Sequence, residues 1–264
     1  IGAATTDVTF NGSSNQTVSG TGSTTDFNDI TINNTGAAAN NIIELMPSNL
    51  TAAAGFLTLT RGIIKMSGTY TFSNTFFSTA GPTINSDEGI WLKNPNVTVT
   101  GQNGDTQLSG LLRISAGTYN VGVSADWWLN YNSGAVITID GGALNVSGAL
   151  FGSSTSSTVT YSQTNGTVTV CTVENTYSVP SFGLQAAGSN FTMSGGSIIV
   201  QYAATSFDDY INNATTSSVT GGTVQFGNAS TPASSFFYMS STPAFYNLQV
   251  NSVNNPSLLL FTAT

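Results

Sequence analysis

The sequence contains no histidine and a single cysteine, Cys171, among its 264 residues. One cysteine forms no internal disulfide, and a chain without histidine lacks the commonest general base and a usual zinc ligand. A catalytic thiol would need a base beside it. We therefore interpret Cys171, which follows the apolar alternation Val168 and Val170, as a small buried hydrophobic residue, and we expect neither a zinc site nor another cofactor.

Charge is also scarce: only 6% of the residues are charged, against roughly 25% in an average soluble domain. Twelve acidic and four basic residues give a net charge of −8. The four cations, Arg61, Lys65, Lys93 and Arg113, are too few to neutralise a phosphate backbone or to hold an anionic membrane surface. No apolar run approaches the ~20 residues of a membrane helix. We expect neither nucleic acid as a partner nor insertion into a membrane.

The chain is nevertheless apolar enough to fold, with 39% hydrophobic and 10% aromatic residues. A disordered chain has fewer apolar residues and more charge. The polar surface must consist of the hydroxyls and amides of Ser, Thr and Asn. Little lysine, abundant Thr and Asn, and no disulfide are typical of a bacterial outer surface, so we expect an extracellular protein.

One short pattern recurs along the chain: two alternating apolar residues, a turn that ends in glycine, and two more alternating apolar residues. Clear copies span residues 57–66, 112–121, 137–146 and 191–200, and looser copies span 159–170 and 219–226. We interpret the glycines as turn positions that need a positive φ or a close backbone approach. They are Gly62, Gly117, Gly142, Gly166, Gly196 and Gly222.

From Gly117 onwards these glycines recur at intervals of about 24–30 residues, the spacing of a repeat architecture. The interval from Gly62 to Gly117 is about twice as long, with a weaker intermediate candidate at Gly89. A unit this short cannot bury its own apolar face, but stacked units bury a continuous core.

The sequence therefore predicts an all-β parallel β-helix, or β-solenoid, with coils of about 24–30 residues. About ten coils at ~4.8 Å each would make a rod of roughly 50 Å. Tandem β-sandwich domains are the alternative, since they also have short strands with frequent turns.

A longer period is superimposed on the coils. Residues 7–12 resemble 223–228, and residues 27–33 resemble 245–251, at a common offset of about 217 residues. The apolar run 42–45 has a counterpart at 258–261. We interpret residues 1–222 as one solenoid module, whose length is this long period, and residues 223–264 as the start of the next module in a continuous rod.

Candidate sites for chemistry are few. Polysaccharide hydrolases need clustered acids, whereas Asp208 and Asp209 are adjacent and would point to opposite faces of a strand. Arg61 and Lys65 have no acid cluster nearby in sequence, as a lyase would need. Asp87 and Glu88 offer too few oxygens for calcium and are interpreted as a solvated turn. We predict that the chain is not an enzyme.

One group of aromatic residues, Trp127, Trp128 and Tyr131, is a candidate for binding a glycan or a protein partner. On a strand, one of Trp127 and Trp128 would face outward, and beside Tyr131 it could stack on a sugar ring or anchor an interface. Ice binding would need a Thr-x-Thr ladder on every coil, and Thr58/Thr60 and Thr98/Thr100 do not continue in that way.

Residues 10–20, 27–34 and 56–62 together resemble repeats of very large surface proteins of Bacteroidota. Those proteins are similar to filamentous adhesins, including gliding-motility adhesins, and are often exported by type IX secretion. The likeness covers residues 7–66, with a degenerate copy near 223–261. The sorting domain of that route is not visible in the sequence, so the route is implied by the resemblance alone.

The resemblance implies a structural or adhesive segment of a cell-surface filament, a mechanical stalk without catalysis. Its expected partners are further copies or tandem modules of the same rod. The alternative is a module that binds surface polysaccharide, and a polysaccharide lyase or hydrolase ranks last.

Overall fold

A computed structural model describes residues 6–204, 209–251 and 253–260. These residues form twenty-five β-strands and no helix, and no helical segment suited to crossing a membrane occurs among them. The strands are β1 (Asp7–Gly12), β2 (Gln16–Gly20), β3 (Asp26–Phe27), β4 (Asp29–Asn34), β5 (Ile42–Pro47), β6 (Thr51–Ala52), β7 (Leu57–Met66), β8 (Phe72–Asn74), β9 (Thr83–Ile84), β10 (Glu88–Val99), β11 (Thr106–Leu108), β12 (Leu111–Val121), β13 (Leu129–Tyr131), β14 (Ala135–Ile139), β15 (Ala143–Val146), β16 (Leu150–Gly152), β17 (Val159–Gln163), β18 (Thr167–Val170), β19 (Phe182–Leu184), β20 (Asn190–Val200), β21 (Tyr210–Asn212), β22 (Thr216–Phe226), β23 (Phe236–Ser241), β24 (Asn247–Val250) and β25 (Ser257–Leu260).

The chain winds as a β-solenoid of about ten turns, and most coils have three faces. The first face stacks β2, β5, the end of β7, the start of β10, the start of β12, β14, β17 and the starts of β20 and β22. The second face stacks β8, the ends of β10 and β12, β15, β18, the ends of β20 and β22, and β24. The third face stacks β9, β11, β13, β16, β19, β21, β23 and β25.

Every pairing between these strands is parallel. The predicted parallel β-helix is therefore confirmed, and the alternative of β-sandwiches, which are built from antiparallel sheets, is wrong. Among the residues described, one isolated bridge, between Phe56 and Phe77, is antiparallel.

Coil length varies along the solenoid. It runs from about 20 residues between the partners Thr98 and Thr118 to about 32 residues between the partners Leu150 and Phe182. The predicted range was therefore too narrow at both ends, because insertions at the corners lengthen individual coils without changing the stacked strands.

Corners between faces differ from the turns that the sequence predicts. In β12, β20 and β22 the strand runs through the corner glycine without a break, whereas β14 and β17 end at true turns. All six predicted glycines have positive φ, from 59° at Gly142 to 101° at Gly62. A Cβ on Gly166 would lie 2.5 Å from the Gly141 oxygen and 2.7 Å from the Gly142 oxygen of the preceding coil. Stacked glycine corners thus let successive coils approach each other.

The repeat pattern predicts that Gly62 and Gly117 occupy the same corner of their coils, and this prediction is wrong: they occupy neighbouring corners. Residues after Gly62 lie on the first face, because Ile63 pairs with Gly89. Residues after Gly117 lie on the second face. Gly89 therefore lies inside a first-face strand, and the corner of its coil falls between Lys93 and Thr98, where the register shifts. Apolar alternation is the same on every face, so the pattern alone does not distinguish one corner from the next.

The core consists of columns of side chains that point inward at matching positions of successive coils. One column on the first face contains Ile64, Ile90, Leu112, Ile137 and Tyr161, all fully buried. Burying one such side chain contributes roughly 1.5–3 kcal/mol, so the columns are the main source of stability. Aromatic rings continue them towards the C-terminus.

Those rings stack between neighbouring coils and meet across the core. Tyr161 stacks on Phe191 with centroids 5.5 Å apart, and Phe182 stacks on Tyr210 at 5.2 Å. Tyr161 and Phe182 also meet edge to face at 5.5 Å. Such pairs contribute about 0.5–1.5 kcal/mol beyond their buried area.

One polar side chain, Gln163, interrupts a core column and is fully buried. Its Oε1 accepts a hydrogen bond from the Tyr161 hydroxyl at 2.6 Å. Its Nε2 donates to the carbonyls of Gly166 at 3.2 Å and Ser197 at 3.1 Å. Gln163 therefore uses both its acceptor and its donors, and it ties the first face to the corner and to the next coil.

The proposed module boundary after residue 222 lies inside β22, which runs through it without interruption. The two sequence copies carry the same register: Phe10 pairs with Ile32, and Phe226 pairs with Val250. The long period thus relates strands with equivalent pairing. Phe261, the last residue of the predicted apolar counterpart, lies outside the described residues.

Candidate functional site: a groove on the first face

The predicted aromatic group is largely taken up by packing. Trp127 and Trp128 precede β13 rather than lying on a strand, so the expected alternation of core and surface does not apply. Tyr131 does lie on β13, but it is fully buried, and its hydroxyl donates to the Gly183 carbonyl at 2.7 Å. The expectation that Tyr131 forms part of an exposed patch was wrong.

Trp128 belongs to a small cluster outside the third face. Its ring meets Phe151 at 5.2 Å and Tyr177 at 5.1 Å, both edge to face. Beside it, Asp126 accepts hydrogen bonds from the backbone N–H and the hydroxyl of Thr176, both at 3.0 Å. This cluster fastens the segment 172–181 over the third face.

Trp127, next to this cluster, is half-buried. Its Nε1 donates to the Asn103 side chain at 3.3 Å, and its backbone N–H donates to the Ser147 hydroxyl at 3.1 Å. Each tryptophan thus has specific partners within the fold. The predicted group of three aromatic residues is therefore divided, with Tyr131 in the core and Trp128 packed against other rings.

The acidic candidates are engaged in structural contacts. Asp208 lies outside the described residues. Asp209 is fully buried and accepts backbone N–H bonds from Ala204 at 2.6 Å and Tyr238 at 2.7 Å. Glu88 is buried and accepts the backbone N–H of Asn85 at 2.7 Å, so the interpretation of this turn as solvated was wrong for Glu88. In the described part of the chain, no three His, Cys, Asp or Glu residues group as metal ligands do.

Cys171 is fully buried, which confirms its interpretation as a small core residue. Its thiol donates to the Val173 carbonyl at 3.3 Å, and its sulfur accepts the Asn175 N–H at 3.2 Å. Burial raises the pKa of the Cys171 thiol to about 12. Reactive cysteines are partly exposed and have lowered pKa values, so this thiol is not a nucleophile.

The main cluster of charge lies on the outer side of the first face and was missed by sequence reasoning. Lys65, Trp91 and Arg113 occupy matching positions on β7, β10 and β12. The Lys65 ammonium lies 4.4 Å and the Arg113 guanidinium 4.2 Å from the centroid of the Trp91 ring. Lys93 lies 5.9 Å from the same ring. Three of the four cations of the chain therefore meet at one indole, an arrangement that stabilises the cations through the ring quadrupole.

Acidic residues flank this row, which we call the cation ladder (Lys65, Trp91, Lys93 and Arg113). Lys65 lies 2.8 Å from Glu44, and Arg113 pairs with Asp140. Partial burial of Glu44 acts to raise its pKa, but hydrogen bonds from Lys65 and Ser67 and the charges of Lys65 and Lys93 outweigh it, so the pKa of Glu44 is lowered. Lys93 is exposed and makes no ion pair with any residue that the structure describes.

A groove of about 350 Å³ runs beside the cation ladder on the same face. Its floor contains the half-buried side chains of Ile63, Leu111 and Val136. Gly89 lies between Ile63 and Leu111 in the stack, and a Cβ there would lie 2.9 Å from the Leu111 Cβ. The absence of a side chain at Gly89 keeps this part of the floor low.

Cations stand on both sides of the floor. Arg61 lines one rim and lies 3.2 Å from Asp87, and both side chains are about half exposed, at 49% and 48%. Lys65 and Arg113 follow the floor residues Ile63 and Leu111 by two positions, so they stand on the other side, about 6.6 Å along the strands. Of the four cations of the chain, Arg61 lines the groove, together with the acidic residues Asp87 and Glu88. The three residues Lys65, Trp91 and Arg113 are visible in the sequence, but only the strand register shows that they occupy the same position in successive coils.

Comparison with known protein families, curated proteins and solved structures gives no match. The fold defines the chain as a parallel β-solenoid.

Proposed function

We propose that this chain is a structural segment of an extracellular surface filament or adhesin, a mechanical rod without catalysis. The observation that carries the proposal is the continuity of the parallel ladders. The first face alone links β2 to β22 through nine consecutive strand positions. A rod of this kind distributes an applied load over three ladders in each coil.

Surface chemistry and packing support the same role. Low charge leaves hydroxyls and amides outside, which permits copies of the rod or tandem modules to lie against one another with little repulsion. Buried thiol, acid and tyrosine groups are engaged in structural hydrogen bonds. The likeness to Bacteroidota adhesins and the equivalent pairing of the two sequence copies support an assembly of repeated modules on the cell surface.

Single-molecule stretching tests this proposal. The chain would be placed between two reference β-sandwich domains and pulled from its ends. We expect the reference domains to unfold first, with the solenoid extending later in steps of about one coil. Extension of the solenoid before either reference domain would contradict a mechanical role.

A second candidate function is binding of polysaccharide, favoured by the groove between Arg61 and the cation ladder. Two of the predicted aromatic contacts do not support this function, because Tyr131 is in the core and Trp128 packs against Phe151. Apolar floor residues suit the C–H faces of sugars, and the polar rims can bind their substituents. A glycan array with wild-type protein and Val136→Glu tests it: binding that the substitution removes is expected, and the absence of any bound glycan would exclude it.

A further inference from the structure

The last described coil of the solenoid, which contains β24 and β25, exposes side chains that belong to the core columns. Leu248 and Val250 of β24 continue the inward column of Val224 and Phe226, yet they are exposed at 43% and 39%. Leu260 of β25 continues an inward column of the third face and is exposed at 72%. Among the described residues, no strand pairs with the outer edge of β24 or of β25. The core is therefore open on this side of the coil.

The internal sequence copy of β24 shows what such an edge accepts. Ile30 and Ile32 of β4 stand where β24 has Leu248 and Val250, and both isoleucines are fully buried. They are buried because the start of β7 pairs with β4 and supplies the next parallel strand. An edge of this kind is therefore completed by a further parallel strand whose apolar residues alternate.

The first described coil, which contains β1 and β2, has such strands. Val8 and Phe10 of β1 and Val18 of β2 point inward and are half-buried. In the described part of the chain, β1 pairs with β4 alone and β2 with β5 alone, so one edge of each strand is free. The pair β1 and β2 lies beneath β4 and β5 just as β22 and β23 lie beneath β24 and β25. The first coil can therefore stack on the last coil of another copy with every strand parallel.

Charge favours this pairing of a first coil with a last coil. Residues 223–260 contain no charged side chain. The first coil and the strand that follows it carry the acidic residues Asp7, Asp26 and Asp29. Contact between two first coils would bring these carboxylates together, and like charges that face each other oppose association. Contact between a first coil and a last coil brings no like charges together.

We propose that the open last coil binds a second copy of the chain, with β24 and β25 of one copy pairing with β1 and β2 of the next. The unpaired N–H and C=O groups of edge strands serve as the template for such pairing, and the core columns then continue across the junction. A head-to-tail contact of this kind joins copies into an open row rather than a closed dimer. The inference rests on the proposed filament function and adds the surfaces through which copies join.

Sedimentation velocity of the full chain at rising protein concentration tests the proposal. We expect association that grows with concentration, and unbranched threads in electron micrographs. Val8→Lys and Leu248→Lys should each weaken self-association roughly tenfold or more, because an unpaired ammonium would be buried at the junction. Val123→Lys makes the matched change at an exposed valine of a middle coil and should associate like the wild type. Unchanged circular dichroism and urea midpoints would show that the variants fold.

A mixture of the two end variants distinguishes this contact from others. Val8→Lys keeps an intact last coil and Leu248→Lys keeps an intact first coil, so the mixture should form one-to-one dimers and no longer species. Dimers of Val8→Lys alone would mean that two last coils meet, and would overturn the proposed pairing. Association that survives both substitutions would also overturn it, because the contact would lie elsewhere. A wild-type chain that stays monomeric at every concentration would overturn the inference but leave the mechanical role, which stretching of single chains tests, standing.

Discussion

Replacement of Gly166 by alanine tests whether the glycine corners determine how closely the coils stack. Gly166 has φ of +70°, and an L-residue in this conformation costs roughly 1–2 kcal/mol. The new Cβ would also lie 2.5 Å from the Gly141 oxygen of the preceding coil. Relieving that overlap requires the backbone to shift, at a cost of about 1–3 kcal/mol, as in overpacked cores.

Gly134 provides the matched control, because its φ is +92° and a Cβ there would contact nothing within 4 Å. Both substitutions gain about 0.4–1 kcal/mol from a less flexible unfolded chain. We therefore expect Gly134→Ala to cost about 0–1.5 kcal/mol and Gly166→Ala about 1–3 kcal/mol more. Urea titrations followed by circular dichroism measure both. Equal losses of stability would refute the argument that contact between coils, rather than φ alone, requires glycine at this corner.

Three further predictions concern buried polar groups. Gln163→Leu leaves the Tyr161 hydroxyl without its acceptor and should lower the free energy of unfolding by about 1–3 kcal/mol in a urea titration. The double variant Gln163→Leu/Tyr161→Phe should lose less stability than the sum of the two single variants. Strictly additive losses would contradict the hydrogen bond between the two side chains. Cys171, whose pKa burial raises to about 12, should react with Ellman's reagent at pH 8 only when urea unfolds the chain; rapid labelling of the folded protein would contradict its burial. Burial also raises the pKa values of Tyr119 and Tyr210 above the ordinary tyrosine value. The stability that these two neutral hydroxyls contribute to the folded state is fully present below the unfolded pKa of about 10 and is lost as the pH rises above it. A urea midpoint that is unchanged between pH 8 and pH 11 would contradict this sign.

The fold could be predicted because each coil carries a short local signal, alternating apolar residues around a glycine, and this signal recurs at the length of one coil. Apolar alternation around Gly142 and Gly196 marks two inward faces and the corner between them, and stacking follows from the need to bury those faces. The corner reached by Gly62 could not be predicted. Its flanking residues alternate just as those of Gly117 do, and only the pairing of Ile63 with Gly89 assigns the face.

The candidate site was less accessible to sequence reasoning. The step in sequence from Lys65 to Trp91 is longer than the step from Trp91 to Arg113, and these unequal coil lengths conceal that the three residues share a position. Conversely, Trp128 and Tyr131 are conspicuous in the sequence, but the segment 172–181 folds over the third face and one of its residues, Tyr177, packs against Trp128. Which aromatic side chains remain exposed depends on such long connections, whose course local periodicity does not determine.

Hydrogen exchange of the full chain, resolved by residue, tests whether one continuous stack of parallel ladders runs through the molecule. We expect slow exchange in an unbroken series of first-face and second-face strands from β5 to β22, with fast exchange confined to the connections between faces. Protection restricted to separate islands, with strands such as β12 and β14 exchanging as fast as the connections, would contradict a continuous rod.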